Sequence, residues 1–235
     1  MGNYPVQSGT AAYPYYAALP GGTDPSTGQA YQPNGTADEI YIAPYNLTSA
    51  LPLNPVPTGY HPINSLIVGI TLTGAVIHVE VAADSDDNWY NPTNVLPLDQ
   101  CWGHPFRNQY HHHAYAWKCF PNQGTSGHSS LFAYALDGFG IYGPRDEDGE
   151  MITNAQLDQC HGHVGPVMWN GKKTVMYHYH LNREYPFSLG CFRGDVNYYQ
   201  ALGSTDMRQT NLPIYGARMR ALEAMGYSKN EEQGH

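Results

Sequence analysis

The clearest chemical signal in the 235-residue chain is the tetrapeptide YHYH at residues 177–180. The preceding Thr174 and Val175 are β-branched and favour a β-strand. Side chains alternate between the two faces of a strand, so His178 and His180 lie on one face and the two tyrosines on the other. Two imidazoles on one face can bind one metal ion. They can equally be buried histidines that are hydrogen-bonded to backbone carbonyls.

The tetrapeptide belongs to a pattern that occurs twice in the chain. The order LDQCxGH, YHxH, CF begins at Leu98 and begins again at Leu157. In the first copy the YHxH motif is the YHHH at 110–113. Because chance does not readily produce the same order twice, we interpret it as an internal duplication with repeats at about 98–120 and 157–192.

A duplication predicts that the two YHxH strands face each other about a pseudo-two-fold axis and that their histidines converge on one site. The candidate metal ligands are both His-x-His pairs and the histidine that ends each Cys-x-Gly-His turn: His111, His113, His178, His180, His104 and His163. Neutral imidazoles suit copper or zinc, with iron as a further option. His112 lies between a ligand pair and should face the other way. Calcium is a minor option for the acidic segments 84–88 and 145–150.

Two further residues are candidates for catalysis. Asp137 follows a predicted buried strand in an Asp-Gly turn, where it could act as a general base, although the turn also suits an ordinary hairpin corner. His161 stands where the first repeat has Trp102. A functional site at this break in symmetry would explain the difference, and so would drift. Asp99 and Asp158 either hold the far ring nitrogen of a ligand histidine or cap the turn before the cysteine.

The four cysteines are distributed evenly, one before and one after each YHxH motif. Of three possible connectivities, the simplest joins Cys101 to Cys119 and Cys160 to Cys191. Zinc–thiolate ligation is the alternative, but the chain has no Cys-x-x-Cys motif, so disulfides are favoured. Disulfides indicate an oxidising compartment, and we expect a secreted, periplasmic or cell-surface protein.

The polar opening MGNYPVQSGT lacks the features of a signal peptide. We therefore interpret the sequence as a mature form with an added initiator Met.

Composition indicates a loop-rich, mainly β chain. Charged residues are only 13%, whereas the chain has 25 Gly, 18 Pro and 20 Tyr, which argues against long helices. The net charge of -9 disfavours nucleic acid as a partner. No stretch is apolar enough to predict a membrane span. The nucleophile motif Gly-x-Ser-x-Gly and the phosphate-binding glycine motifs are absent from the sequence, which argues against a serine hydrolase and a nucleotide-binding enzyme.

The predicted fold is mainly β, an antiparallel and sandwich-like sheet domain with an internal duplication, long loops and a short C-terminal helix. Residues 1–37 are predicted to form an extended arm, 38–200 the β domain and 201–235 the tail. The helix is predicted at about 212–226, because apolar residues there partly follow a 3.6-residue period and Gly226 suits a C-cap.

The clearest predicted hairpin joins residues 66–72 to 75–81 around Thr73 and Gly74. In its second strand the apolar side chains share one face, and His78 falls on the other. We therefore expect His78 to be a surface residue rather than a metal ligand.

Four motifs, LDGFGIYGP, LDQCHGH, YHYH and YPFSLGCFRG in this order, resemble the YHYH-domain family. The resemblance covers about residues 66–194. It implies a β-rich domain that is mostly secreted or attached to the cell surface, and it implies no particular reaction. The chain departs from the family pattern with YHHH in the first copy and with Gly140 in place of a usual proline. The alternating histidine pair is retained in both copies.

These features predict an extracellular protein that binds a transition metal. One class is a metalloenzyme, hydrolytic with a zinc-activated water or oxidative with copper, acting on a small molecule or an extracellular polymer. A second class is a non-catalytic metal-binding or adhesion module of the cell surface. A third is a structural domain whose histidines are hydrogen-bond partners in the core beside the disulfides.

Overall fold

The computed structural model describes residues 51–83, 89–95, 98–99, 101–106, 109–116, 119–120 and 127–197. The predicted N-terminal arm, the predicted C-terminal helix and the acidic segment 84–88 lie outside these residues. Within the described part of the chain, no helix is both long enough and apolar enough to span a membrane.

Eight strands form one sheet: β1 (Ile67–Thr71), β2 (Val76–His78), β5 (Gly103–Phe106), β6 (Gln109–His112), β7 (Leu131–Ala135), β8 (Gly140–Tyr142), β9 (Gly162–Trp169) and β10 (Lys172–His180). Two short strands, β3 (Ala82–Ala83) and β4 (Trp89–Tyr90), pair separately. The described helical segments are one α-helical turn at Pro92–Val95 and one 3-10 turn at Asn154–Gln156.

The strand order β5-β6-β2-β1-β7-β8-β10-β9 divides the sheet into two four-stranded halves. Each half contains an antiparallel hairpin, β1–β2 or β7–β8, next to a parallel pair, β2–β6 or β8–β10. Each half ends in an antiparallel edge hairpin, β5–β6 or β9–β10. The antiparallel pair β1–β7 joins the halves. This repeated pairing pattern is the one that an internal duplication would produce.

The prediction of a mainly β domain is confirmed, with a correction to its architecture. The described strands form a mixed sheet rather than an antiparallel, sandwich-like one, because β2–β6 and β8–β10 are parallel. Parallel neighbours require a long crossover connection. In each half that crossover carries the Cys-x-Gly-His turn, so the turn and its histidine arrive beside the YHxH strand.

The predicted hairpin and both predicted disulfides are confirmed. The turn between β1 and β2 contains Gly74 at a φ of 92°, in the left-handed region that favours glycine. Cys101 is bonded to Cys119 and Cys160 to Cys191, with Cα–Cα distances of 5.5 and 4.4 Å. Each disulfide therefore ties the turn that precedes a YHxH strand to the segment that follows it.

Tyr179 and Asp137 connect the sheet to the segment after the second disulfide. The Tyr179 hydroxyl donates to Asp137 Oδ2 at 2.5 Å. The backbone N–H groups of Arg193 and Gly194 donate to the same oxygen at 3.1 and 3.0 Å. Phe139 N donates to Asp137 Oδ1 at 3.3 Å. Burial raises the pKa of Asp137, and these hydrogen bonds act in the opposite direction by stabilising the carboxylate.

Replacing Asp137 with Ala should lower the free energy of unfolding by about 3 kcal/mol, because a buried tyrosine hydroxyl and several backbone N–H groups lose their acceptor. Urea denaturation at neutral pH measures the change. The control is Asp148→Ala, which removes an exposed carboxylate from a turn. A loss no larger than that of the control would contradict the connecting role of Asp137.

Candidate metal centres

Four histidines from the second half of the sheet meet in what we name the second-half cluster: His128, His163, His178 and His180. His163 on β9 is paired with His178 on β10, and His180 follows on the same face. The Nε2 atom of His163 lies 3.0 Å from that of His178 and 3.2 Å from that of His180. The Nε2 atoms of His178 and His180 are 3.0 Å apart, and His128 brings its own to 3.1 Å from that of His178.

The first half contains a comparable group, the first-half cluster: His78, His104, His111 and His113. His104 on β5 is paired with His111 on β6. The Nε2 atom of His113 lies 3.0 Å from that of His111 and 3.1 Å from that of His104. The His78 ring stacks on His111 with 3.6 Å between centroids, and the buried His78 Nε2 has no hydrogen-bond partner among the described residues.

Backbone carbonyls fix the tautomer of the histidines in the His-x-His pairs. His178 Nδ1 lies 3.1 Å from the Met176 carbonyl oxygen, and His180 Nδ1 lies 2.6 Å from that of Gly143. Because a carbonyl oxygen can only accept, Nδ1 carries the proton and Nε2 of the neutral ring keeps its lone pair. The same arrangement occurs at His111 with Gln109 O (3.3 Å), His113 with Val79 O (3.3 Å) and His128 with Ser129 O (2.7 Å).

Burial keeps most of these imidazoles neutral. It lowers the pKa of His178 to about 2 and that of His180 to about 3. The pKa values of His78 and His104 fall to about 3 and about 4, again chiefly through desolvation. For His111 and His113, burial and then the neighbouring histidines hold the pKa well below the ordinary value.

The convergence of neutral Nε2 atoms is the chemically informative feature of both clusters. With the protons on Nδ1, no hydrogen lies between the Nε2 atoms of His111 and His113, or between that of His178 and those of His180 and His128, so their lone pairs face one another at 3.0–3.1 Å. His104 and His163 each bring a further Nε2 atom to 3.0–3.2 Å from these groups. A cation among them turns this repulsion into attraction. Nitrogens at about 2.0–2.1 Å from a tetrahedral ion lie roughly 3.4 Å apart, close to the observed spacing.

The prediction that both His-x-His pairs converge on one site is wrong. Strands β2, β1, β7 and β8 lie between β6 and β10. At about 4.8 Å per strand spacing, the two clusters are separated by roughly 24 Å. Each pair meets the Cys-x-Gly-His histidine of its own half instead. Both clusters lie on the same face of the sheet, as the residue pairs from strand to strand show. His111 pairs with Val76, Val76 with Ile70, Ile70 with Tyr134 and Tyr134 with Gly140; Tyr142, two residues after Gly140, pairs with His180.

Sequence reasoning missed two members of the clusters. His78 was expected at the surface, but it is 4% exposed and belongs to the first-half cluster. The alternation along β2 predicted that the face carrying His78 is exposed to solvent. That prediction is wrong because both faces of this strand are buried. His128 was assigned no role. Its position shortly before a buried strand does not indicate a metal ligand. Only the strand order, which places β7 and β10 in the same half of the sheet, brings His128 to the cluster.

Asp99 and Asp158 cap the Cys-x-Gly-His turns, the second of the two roles considered for them. Asp99 Oδ1 accepts from Cys101 N at 2.7 Å and Gly103 N at 3.1 Å, and Asp158 Oδ1 accepts from Cys160 N at 2.9 Å and Gly162 N at 3.2 Å. Each also accepts from the first tyrosine of its YHxH motif, Tyr110 at 2.7 Å and Tyr177 at 2.9 Å. Within the described residues neither carboxylate is hydrogen-bonded to the ring of a cluster histidine, so they shape the turn that presents His104 or His163.

The two candidate catalytic residues lie outside the clusters. Asp137 is bonded on the opposite face, to Tyr179. The buried His161 has its Nδ1 2.7 Å from the His180 carbonyl oxygen and its Nε2 2.8 Å from Asn154 Oδ1. Catalytic roles for Asp137 and His161 stay predictions, and the geometry gives both residues a supporting position behind β10.

The YHYH tetrapeptide thus has a physical explanation. Its histidines enter the second-half cluster, and its tyrosines bond to the Asp of LDQC and the Asp of LDGFG. Residues 48–150 match the model of the family described as YHYH protein. This part of the chain is a YHYH-family domain. The match contains the whole first-half cluster and ends before His163, His178 and His180. No curated protein and no solved structure matches the chain.

Acid should destabilise the metal-free protein unusually steeply. The unfolded chain takes up protons on histidine below about pH 6.5, whereas the buried rings resist protonation until about pH 4 or lower. Stability should be full above pH 6.5 and fall with decreasing pH by up to about 1.4 kcal/mol per pH unit for each buried histidine. Urea denaturation from pH 7.5 to 5 in the presence of EDTA measures this slope. A slope near zero would contradict the buried, neutral state of the clusters.

Proposed function

We propose that this YHYH-family protein binds two transition-metal ions, one in each histidine cluster. The observation that carries the proposal is the set of converging Nε2 atoms, five of them on rings whose Nδ1–H groups are bonded to backbone carbonyls. Such second hydrogen bonds orient metal-binding histidines and increase their basicity. Buried lone pairs that face one another without a cation would instead destabilise the fold.

The donor set favours copper or zinc. Three or four neutral imidazole nitrogens suit zinc, copper and iron, whereas calcium and magnesium require oxygen ligands. The acidic segment 145–150 offers calcium little, since Asp146 Oδ1 accepts from Glu147 N and Asp148 Oδ1 accepts from Glu150 N, both at 2.8 Å. These contacts are typical of a polar turn.

The second-half cluster favours a metalloenzyme. The side chains of His163 and Asp146 are 22% and 21% exposed, and Asp146 Oδ1 lies 3.7 Å from His163 Nε2. A carboxylate beside a partly accessible ion can hold a proton during hydrolytic chemistry at zinc or redox chemistry at copper. The substrate would be a small molecule or an extracellular polymer. The disulfides are compatible with a secreted protein.

The first-half cluster favours a second candidate function, a non-catalytic metal-binding module of the cell surface. Three of its four rings, His78, His111 and His113, are 1–4% exposed, whereas two of the four rings in the second-half cluster, His128 and His163, are partly exposed. A buried, all-imidazole site suits a permanently held ion that stabilises the domain. The two functions coexist if one ion is structural and the other reacts.

Protein purified without a histidine tag and loaded with zinc or copper should contain two metal ions per chain by elemental analysis. The variant His111→Ala/His113→Ala should retain one ion, and so should His178→Ala/His180→Ala, because each variant removes the His-x-His pair of one cluster. The four-residue variant should retain none. Circular dichroism confirms that each variant is folded.

The control for metal loading is His61→Ala, which removes a partly exposed histidine outside both clusters. It should retain two ions. A folded wild-type protein that binds no metal would support the structural reading of the histidines and refute the proposal. One ion that is lost in both pair variants would instead indicate a single shared site.

A further inference from the structure

The two halves of the sheet can be compared residue by residue. Ile67 pairs with His78 in the first hairpin, and Leu131 pairs with Tyr142 in the second. The second hairpin therefore follows the first by 64 residues, since 131 − 67 and 142 − 78 are equal. The register also shifts at the same place in both hairpins, directly after Ile67 and after Leu131. The 64-residue offset thus identifies equivalent positions around the clusters.

The equivalent positions show that the two clusters are chemically different. Tyr142 stands in the second half where the first has His78, and its ring lies 5.3 Å from that of His178. His128 stands where the first half has Asn64. At the same offset, Asp146 corresponds to Ala82. A carboxylate is therefore added to the second-half cluster at a position where the first half has only a methyl group.

Asp146 is held at the accessible side of the second-half cluster by its own turn. Its backbone N–H donates to Glu150 O at 3.0 Å, and its carbonyl accepts from Gly149 N at 2.9 Å. Its Oδ1 accepts from Glu147 N, which orients the carboxylate. The ligand atoms of Asp146, His163 and His180 all lie within 4.8 Å of one another.

The distance from Asp146 Oδ1 to His163 Nε2 is 3.7 Å, whereas the ring nitrogens of the cluster are 3.0–3.2 Å apart. The carboxylate therefore lies just beyond the group of ring nitrogens. From there it can accept a hydrogen bond from a small ligand of the ion. The half-buried His163, whose pKa is lowered by burial and raised by Asp146, marks the side from which such a ligand can enter.

We propose that the second-half cluster is the reactive centre: its ion keeps one exchangeable position beside Asp146 for water or another small oxygen- or nitrogen-donor ligand, while the first-half cluster holds its ion among imidazoles alone. This inference rests on the proposed binding of two metal ions. Asp146 contacts the exchanging ligand, and the ring nitrogens hold the ion.

The test uses the full chain loaded with cobalt(II), whose visible spectrum responds to ligand exchange, and azide as the probe. Azide should change about half of the cobalt absorption of the wild-type protein. His111→Ala/His113→Ala, which retains only the second-half cluster, should respond completely. His178→Ala/His180→Ala, which retains only the first-half cluster, should not respond.

The variant Asp146→Asn should retain two cobalt ions and bind azide about fivefold more tightly, because the anion no longer meets a neighbouring negative charge. Asp148→Asn, which changes an exposed carboxylate in the same turn, should bind azide as the wild-type protein does. Two bound cobalt ions that both respond to azide, or that both ignore it, would overturn the inference and leave the proposed function standing. An unchanged azide affinity in Asp146→Asn would refute the role of Asp146. Failure to bind cobalt, zinc or copper would refute the proposed function itself.

Discussion

The hydrogen bonds from histidine Nδ1 to backbone carbonyls are the constraint on which the clusters depend. Each bond fixes one ring orientation and one tautomer, and it leaves the Nε2 lone pair directed at the lone pairs of neighbouring rings. The acceptor carbonyls for the His-x-His pairs come from the YHxH strand itself and from the residue directly after the parallel strand beside it. The mixed sheet is therefore part of the site, because the parallel pairs β2–β6 and β8–β10 supply Val79 O and Gly143 O.

The alternation of tyrosine and histidine along β10 divides structural and chemical roles between the two faces of one strand. Tyr177 and Tyr179 bond to Asp158 and Asp137 and hold the turns around the strand. In the first half Tyr110 bonds to Asp99 in the same way, but His112 takes the place of the second tyrosine and its Nδ1 lies 2.9 Å from the Cys101 carbonyl oxygen. Thr73 stands at the offset position of Asp137, so the first half has no carboxylate there for a tyrosine to meet.

Much of the local structure was predictable from sequence because it depends on short-range rules. Alternation placed His178 and His180 on one face, and the position of one cysteine before and one after each YHxH motif gave both disulfides. The order of the strands was not predictable, since it depends on long-range pairing. The β1–β7 pair puts the two hairpins between the YHxH strands, which separates His111 from His178. For the same reason His78, on a strand buried on both faces, could not be recognised as a neighbour of β6.

A crystal structure with anomalous diffraction at the absorption edge of the bound metal tests most directly whether each half of the sheet holds one ion. Two anomalous peaks roughly 24 Å apart are predicted, each about 2.0–2.1 Å from Nε2 atoms of one cluster. Well-ordered clusters without a peak in metal-loaded crystals, or a single peak shared by histidines of both halves, would contradict this prediction.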